Sequence, residues 1–271
     1  MSANSTRTVV VTGASSGIGK ATATAFAARG HKVIGTSRNP SSLAEADRVP
    51  GVDYRALDLT DPESIASFTA ALGAVDVLIN NAGESQAGPL AELPTDAIER
   101  LFQLNVFGAV TLTQAVLPGM RARGYGRVVM VGSMLGSFPM PYRSSYAAAK
   151  AALRGFATAA RFEESPFGVW LTTIEPGQID TGLRERRTKY IDEGSAHTTD
   201  FARFMAKMDE KQGQGITPEK VAETILGAVE ADRPKPLYAV GSNAPLMFAV
   251  RRLLPRSVME RLIAASYGLK R

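Results

Sequence analysis

The 271-residue chain reads as a single Rossmann-like α/β domain, a doubly wound parallel sheet of about seven strands in the order 3-2-1-4-5-6-7, with helices on both faces. Three observations predict it. Short apolar, β-branched runs alternate with helical stretches from residue 7 to residue 174. The first of these runs leads into a glycine-rich turn that opens a helix. Glycine, hydroxyl or amide residues stand where the strands end, and sheets of this kind bind ligands beyond their strand C-termini.

Residues 7–12 form the first strand, followed by Thr12-Gly13-Ala14-Ser15-Ser16-Gly17-Ile18-Gly19-Lys20 and a helix over residues 21–29 that Gly30 ends. Strand, glycine loop and helix are the ingredients of a dinucleotide site. Glycines let backbone approach a pyrophosphate, and the helix N-terminus offers unpaired N–H groups and a positive dipole end. The spacing is Gly-x-x-x-Gly-x-Gly rather than the usual G-x-G-x-x-G, and a glycine turn without a ligand is the competing account. A second strand, 32–37, runs into Ser37-Arg38. An NAD site places Asp or Glu in this window to hold the ribose 2′-hydroxyl. A guanidinium there pairs instead with a 2′-phosphate, which predicts NADP(H).

The third strand, 52–57, ends at Asp58, placed either for the adenine amino group or to cap the helix beginning Asp61-Pro62-Glu63. The fourth, 75–79, leads into Asn80-Asn81-Ala82-Gly83, residues suited to a turn or to the wall of a cofactor cleft. Residues 95–121 read as one long helix, with Ile98, Leu101, Phe102 and Leu104 at helical spacing. Asn105 sits inside it, a buried amide that must find partners. The fifth strand, 127–131, closes on Gly132-Ser133. A helix over 145–164 follows, then the sixth strand, 169–174, and the irregular Glu175-Pro176-Gly177-Gln178-Ile179-Asp180-Thr181.

The helix after Ser133 carries the chemistry. It begins Ser144-Ser145-Tyr146-Ala147-Ala148-Ala149-Lys150, with Ser144 or Ser145 available as N-cap. Positions four apart share a helix face, so Tyr146 and Lys150 project side by side. A phenol titrates near pH ~10 in isolation, and a neighbouring ammonium favours its ionised form, as general acid–base work requires. A packed tyrosine beside a snorkelling lysine is the bland account.

Composition narrows the alternatives. Hydrophobic residues at 45% and charged residues at 21% are those of an ordinary globular protein. Formal charge is +5, without the Lys/Arg block of a nucleic-acid arm; the one dense basic cluster is Arg184, Arg186, Arg187 and Lys189. With no cysteine, and only His31 and His197, neither disulfides nor a metal centre are expected. Residues 1–8 are polar, the run Val9-Val10-Val11 is too short for a signal core, and no stretch reads as the ~20 apolar residues of a membrane span. The expectation is a cytoplasmic protein of one domain spanning 1–271.

Over about residues 7–182 the pattern resembles the short-chain dehydrogenase/reductase family. Thr12 to Gly19 resembles its Thr-Gly-x-x-x-Gly-x-Gly loop, and residues 80–83 its Asn-Asn-Ala-Gly. Asn105, Ser133, Tyr146 and Lys150 match its catalytic tetrad, Pro176-Gly177 with Thr181 its nicotinamide-holding segment, and Arg38 the basic residue of its NADP-preferring subgroup. The resemblance implies a cofactor contacted by Gly13, Ser15, Ser16, Gly17, Ile18, Gly19, Ser37, Arg38, Asp58, Leu59, Asn81, Ala82, Gly83, Tyr146, Lys150, Pro176, Gly177, Ile179 and Thr181. It also implies a division of labour. Ser133 holds the substrate oxygen, Tyr146 exchanges its proton, Lys150 tunes the tyrosine and binds the nicotinamide ribose, and Asn105 anchors a proton-relay water.

A substrate pocket is expected among Ser133, Leu135, Met140, Tyr142, Gln178, Leu183 and Tyr190, covered by a lid at 183–216 whose Phe201, Phe204 and Met205 face the substrate. Residues 245–271 form an amphipathic extension with interleaved arginines, which packs on the domain or a sister subunit, or else touches a membrane. Its presence gives a weaker resemblance to the steroid-, retinol- and acyl-dihydroxyacetone-phosphate-reducing branches. The resulting expectation is an NADPH-dependent reductase of a ketone or aldehyde on a hydrophobic molecule (steroid, retinoid, lipid or polyketide-like), acting as a homodimer or homotetramer. The alternatives are the oxidative direction and a non-catalytic NADP-binding regulator.

Overall fold

In the computed structural model, residues 6–179, 187–212 and 215–269 are described. Seven parallel strands make the main sheet: β1 (Thr8–Val11), β2 (Lys32–Ser37), β3 (Val52–Ala56), β4 (Val77–Asn80), β5 (Gly126–Val131), β6 (Val169–Pro176) and β7 (Leu237–Val240). Their order is β3-β2-β1-β4-β5-β6-β7, so the chain reverses direction between β1 and β4. Strand bounds differ from the sequence reading by one or two residues. The strand that no pattern located, β7, has only four half-buried residues, too short for a periodicity to register.

The pleat sorts β1 between two cores. Val10 joins Leu78, Val128, Met130 and Leu171 beneath α2 (Pro62–Ala70), α4 (Gly108–Arg123) and α6 (Ser144–Glu164). Val9 and Val11 join Phe26 of α1 (Gly17–Ala28) and Val221 and Ile225 of α8 (Pro218–Glu230) on the other face. Both faces are covered, which is why the strands read as continuous rather than alternating apolar runs. Each fully buried Leu, Ile or Phe of these layers contributes about 2 kcal/mol relative to exposure.

Two helices depart from expectation near the site. The long helix is α3 (Thr95–Phe102) and α4 joined by a π-helical turn, Gln103–Phe107, which contains Asn105. Such an insertion widens the backbone ladder locally and recurs at functional sites. The continuous span Thr95–Arg123 is, by length and composition, apolar enough to cross a membrane, contrary to the sequence expectation. In the fold, however, Leu101, Leu112, Val116 and Met120 bury its inner face. At α6, neither Ser144 nor Ser145 is the N-cap: both lie inside the helix, whose cap position is Arg143 without a side-chain bond. Ser145 instead accepts a hydrogen bond from Gln86 Nε2 at 2.9 Å.

Beyond the sheet's C-terminal edge lie the short helix α5 (Met134–Ser137) and a two-residue bridge sheet joining Gln86–Ala87 to Thr188–Lys189. Three further helices complete this side: α7 (Thr198–Gln212), α9 (Ala244–Leu253) and α10 (Arg256–Ser266).

Candidate active site

At the cofactor end, Gly13 and Gly17 adopt φ +66° and +52°, a region open to glycine at no steric cost. A Cβ on Gly19 would stand 2.1 Å from the Gly13 carbonyl oxygen and 2.6 Å from Asn81 Nδ2, so the loop closes on itself only with glycine there. Asn81 Nδ2 donates to the Thr12 carbonyl at 2.9 Å and the Gly13 carbonyl at 3.4 Å. Thr12 Oγ1 accepts from the Asn81 and Ala82 amides, both at 2.9 Å. Thr12 is therefore the clasp between the glycine loop and Asn81-Ala82-Gly83, a role that its place at a strand end did not signal.

The loop delivers α1 with Ser16 at its cap and no acidic residue in its first turn, which leaves the positive dipole end to an anion. Ser15 and Ser16 are half-buried on this turn, while Ile18 packs into the core beneath it. Ser37 is half-buried and Arg38 exposed at the end of β2, and among the described residues Arg38 enters no salt bridge. Its charge does reach Asp58. Burial pushes that carboxyl up, but two hydrogen bonds from Thr60 and the Arg38 guanidinium outweigh it and hold Asp58 below the usual carboxylate range. The helix cap is Asp61, which accepts from the Glu63 amide at 2.9 Å, so Asp58 is left at the strand end. Leu59 lies in the core, its carbonyl against Gly108.

On α6, Tyr146 is 8% and Lys150 5% exposed. Lys150 Nζ donates to the Val131 carbonyl at 2.9 Å and lies 5.8 Å from the Tyr146 ring centroid; no carboxylate among the described residues pairs with it. Asn105 Oδ1 accepts from the Glu84 amide at 2.9 Å and its Nδ2 donates to the Glu84 carbonyl at 3.0 Å. That side chain is thus engaged in clamping the segment after Gly83. Gly83 is wedged between them: a Cβ there would meet Asn105 Oδ1 at 2.9 Å and Lys150 Nζ at 3.6 Å. Ser133 caps α5, its Oγ accepting from the Leu135 amide at 3.2 Å, which leaves the hydroxyl proton to donate elsewhere. Gly136 packs on the backbone of Lys150 and Ala151, locking the Ser133 loop to α6.

Two features were missed by sequence reasoning. Arg143 is 4% exposed, its guanidinium carbon 4.5 Å from the Tyr146 ring centroid, closer than the lysine. One nitrogen donates to Ser85 Oγ at 2.9 Å, while Nε and Nη1 have no hydrogen-bond partner among the described residues. Burial lowers its pKa to about 10. The other feature is Glu175, fully buried between Arg154 (3.1 Å) and the Ser137–Gly132 wall. Burial raises its carboxyl pKa against the Ser137 hydrogen bond and the Arg154 charge. Neither residue belongs to a short motif, so no spacing could announce them.

Pro176 is buried and Gly177 faces Ser242, whose Oγ would lie 2.3 Å from a Cβ at Gly177. Gln178 N donates to the same Oγ at 2.8 Å, and Ile179 bridges to Ile216. Thr181 and Leu183 lie outside the described residues. On the substrate side, Leu135 is half-buried on α5. Met140 and Tyr142 pack into a cluster with Phe201, Phe204, Met205 and Met208 of α7 and with Ala264, Tyr267 and Leu269. Phe201, Phe204 and Met205 are at most 6% exposed: rather than facing a substrate, they hold α7 to the C-terminal helix, because α10 offers them an apolar face. Tyr190 stands against Gly88 and meets Arg100, while the Gln178 side chain reaches the Tyr267 hydroxyl. Among the described residues no group of three or more His, Asp or Glu is placed to hold a metal ion.

Comparison with known proteins places this geometry. The family model described as short chain dehydrogenase matches residues 7–191. Dehydrogenase/reductase SDR family member 7B of Bos taurus is 35% identical, covering 95% of this chain and 80% of the relative. The 3-ketodihydrosphingosine reductase of Bacteroides thetaiotaomicron is 29% identical, covering 97% and 98%. The crystal structure of a short-chain dehydrogenase from Streptomyces avermitilis superposes with a TM-score of 0.81 at 34% identity, covering 94% of this chain and 96% of that one. The chain belongs to the short-chain dehydrogenase/reductase family of oxidoreductases.

Proposed function

We propose that the protein reduces a ketone or aldehyde on a hydrophobic molecule with NADPH, and that Tyr146 donates the proton. The observation that carries this reading is the buried pair on α6. Tyr146 and Lys150 share one face, and the lysine is held by a backbone carbonyl, with no carboxylate among the described residues paired to it. The cradle fits a dinucleotide: Gly13 and Gly17 in left-handed conformations, Gly19 with no room for a side chain, an acid-free helix N-terminus, and Arg38 exposed where a 2′-phosphate would lie.

When bound, the dihydronicotinamide supplies the hydride. Ser133, its Oγ already accepting from Leu135, donates to the substrate oxygen and polarises it. Tyr146 transfers its phenolic proton to the same oxygen as negative charge develops there. Lys150 and the Arg143 guanidinium stacked on the ring face stabilise the phenolate left behind. Lys150 is also placed to meet the nicotinamide ribose. Asn105 holds the segment after Gly83 so that this geometry persists. A hydrophobic substrate is supported by half-buried Leu135, two residues after Ser133, and by the lipid ketone named for the 3-ketodihydrosphingosine reductase relative. Association of two copies through α4 and α6 is supported by exposed Phe107 at the N-cap of α4 and by exposed Phe156 and Phe162 on α6.

The test is NADPH consumption by the purified protein against steroid ketones, retinal, 3-oxoacyl esters, long-chain 3-keto amines and quinones. Turnover with one class, reduced at least ~10³-fold by Tyr146→Phe, supports the reading. Turnover that survives Tyr146→Phe would overturn it.

A further inference from the structure

Charge is distributed unevenly along this chain. Residues 245–271 contain six of the 31 Lys and Arg and one of the 26 Asp and Glu, so that segment carries the whole formal +5 and the other 244 residues hold 25 of each sign. Apolar exposure concentrates in the same place: Leu246 (62%), Leu253 (83%), Leu254 (37%), Val258 (37%) and Leu262 (53%) lie on α9, α10 and the turn between them. A single exposed leucine is ordinary on a protein surface. Five on two consecutive short helices, beside exposed Arg252 and Arg261, form an apolar and basic face.

The opposite sides of the two helices are committed to the domain. Phe248 meets Phe138 edge-on at 5.0 Å, Arg251 donates to the Ser137 carbonyl at 2.8 Å, and Met259, Ala264 and Tyr267 are buried. The exposed face is thus fixed to α5, which follows Ser133, and to the lid helix α7.

We infer that this face seats on an anionic lipid surface, holding the substrate side of the molecule against the bilayer. Helices of this kind bury exposed leucines among acyl chains while their arginines meet lipid headgroups. A second copy is the poorer occupant. A two-fold interface sets the same patch against itself, here with net positive charge opposing net positive charge, whereas anionic lipid supplies the opposite sign. The inference does not depend on the reaction proposed above, because binding is measured without substrate.

The experiment is co-sedimentation of the full chain with vesicles of phosphatidylcholine alone and of phosphatidylcholine containing about one-third phosphatidylserine. The expected result is pelleting with the anionic vesicles, weakened about tenfold or more at high salt and far weaker on neutral ones. Arg252→Gln with Arg261→Gln lowers the partition about 20-fold, close to fivefold per charge. Leu253→Ser with Leu262→Ser lowers it at least ~10-fold, and both pairs keep the wild-type melting temperature. No pelleting, equal pelleting on neutral and anionic vesicles, or pelleting unchanged in both variants overturns the inference. So does a wild-type oligomer that the leucine variants dissociate while vesicles pellet none of them, which would assign the face to a second copy.

Discussion

Replacing Arg154 with methionine tests the buried charge that supports the site. Glu175 is fully buried, one carboxylate oxygen 3.1 Å from Arg154 Nη1 and the other without a hydrogen-bond partner among the described residues. Its pKa is raised by burial, with the Ser137 hydrogen bond and the Arg154 charge pulling the other way. A raised folded-state carboxyl binds its proton more tightly than the unfolded chain does. Stability from this group is therefore fully present below the unfolded pKa of about 4.3 and declines as pH rises through the folded value.

Loss of the guanidinium moves the folded value higher still and makes that decline larger. At an effective dielectric of about 20 the pair interacts by roughly 5 kcal/mol. Arg154 is 30% exposed, and solvent screening reduces the loss at pH ~8 to about 3 kcal/mol. At pH ~4, below the unfolded pKa and so below the raised folded one, the carboxyl is mostly protonated and the loss is about 1 kcal/mol. At about 2 °C or more per kcal/mol, the Arg154→Met melting temperature drops by about 6 °C or more at pH ~8 and by roughly a third of that at pH ~4. Adding Glu175→Gln recovers most of the alkaline loss, because no charge is then buried alone. Differential scanning fluorimetry at both pH values decides. Equal losses at the two pH values, or a double variant no more stable than the single, refute the reasoning.

Three further outcomes follow from the geometry. Gly19→Ala places a methyl 2.1 Å from the Gly13 carbonyl, parting the loop from Asn81; NADPH affinity measured by nucleotide fluorescence falls more than ~10-fold, and the melting temperature falls by a few degrees, as overpacking by about 1–3 kcal/mol requires. Arg38→Asp sets a carboxylate beside Asp58 where a 2′-phosphate would pair, so kcat/KM with NADPH falls at least ~10²-fold and falls far less with NADH; equal losses refute the NADP assignment. Arg143→Met removes the guanidinium 4.5 Å from the Tyr146 ring, lowering kcat about 30-fold with KM for NADPH unchanged. Arg143→Lys restores part of that rate, and because no carboxylate among the described residues pairs with Arg143, the methionine variant keeps its melting temperature.

Much of this architecture was legible without coordinates because local rules carry it. Strands buried on both faces must read as apolar runs, a backbone that folds onto itself at Gly19 must lack a side chain, and Tyr146 and Lys150 meet because four residues make about one helical turn. Those constraints reach only a few residues along the chain, so they fixed the sheet, the glycine loop and the catalytic pair. They were silent where the partner is remote in sequence. Thr12 clasps Asn81 across 69 residues, Arg251 holds Ser137 across 114, and β7 exists because β6 offers an edge for four residues to pair with. The same distance explains the errors. The aromatic residues of α7 have helical spacing whether they face a substrate or, as found, Tyr142 and Tyr267. Sequence alone determined the fold, the glycine cradle and the Tyr146–Lys150 pair; only tertiary structure decided what surrounds them, the buried Arg143 and Glu175, the lid's attachment and the outward face of the C-terminal helices, because burial belongs to the packed chain and to no segment of it.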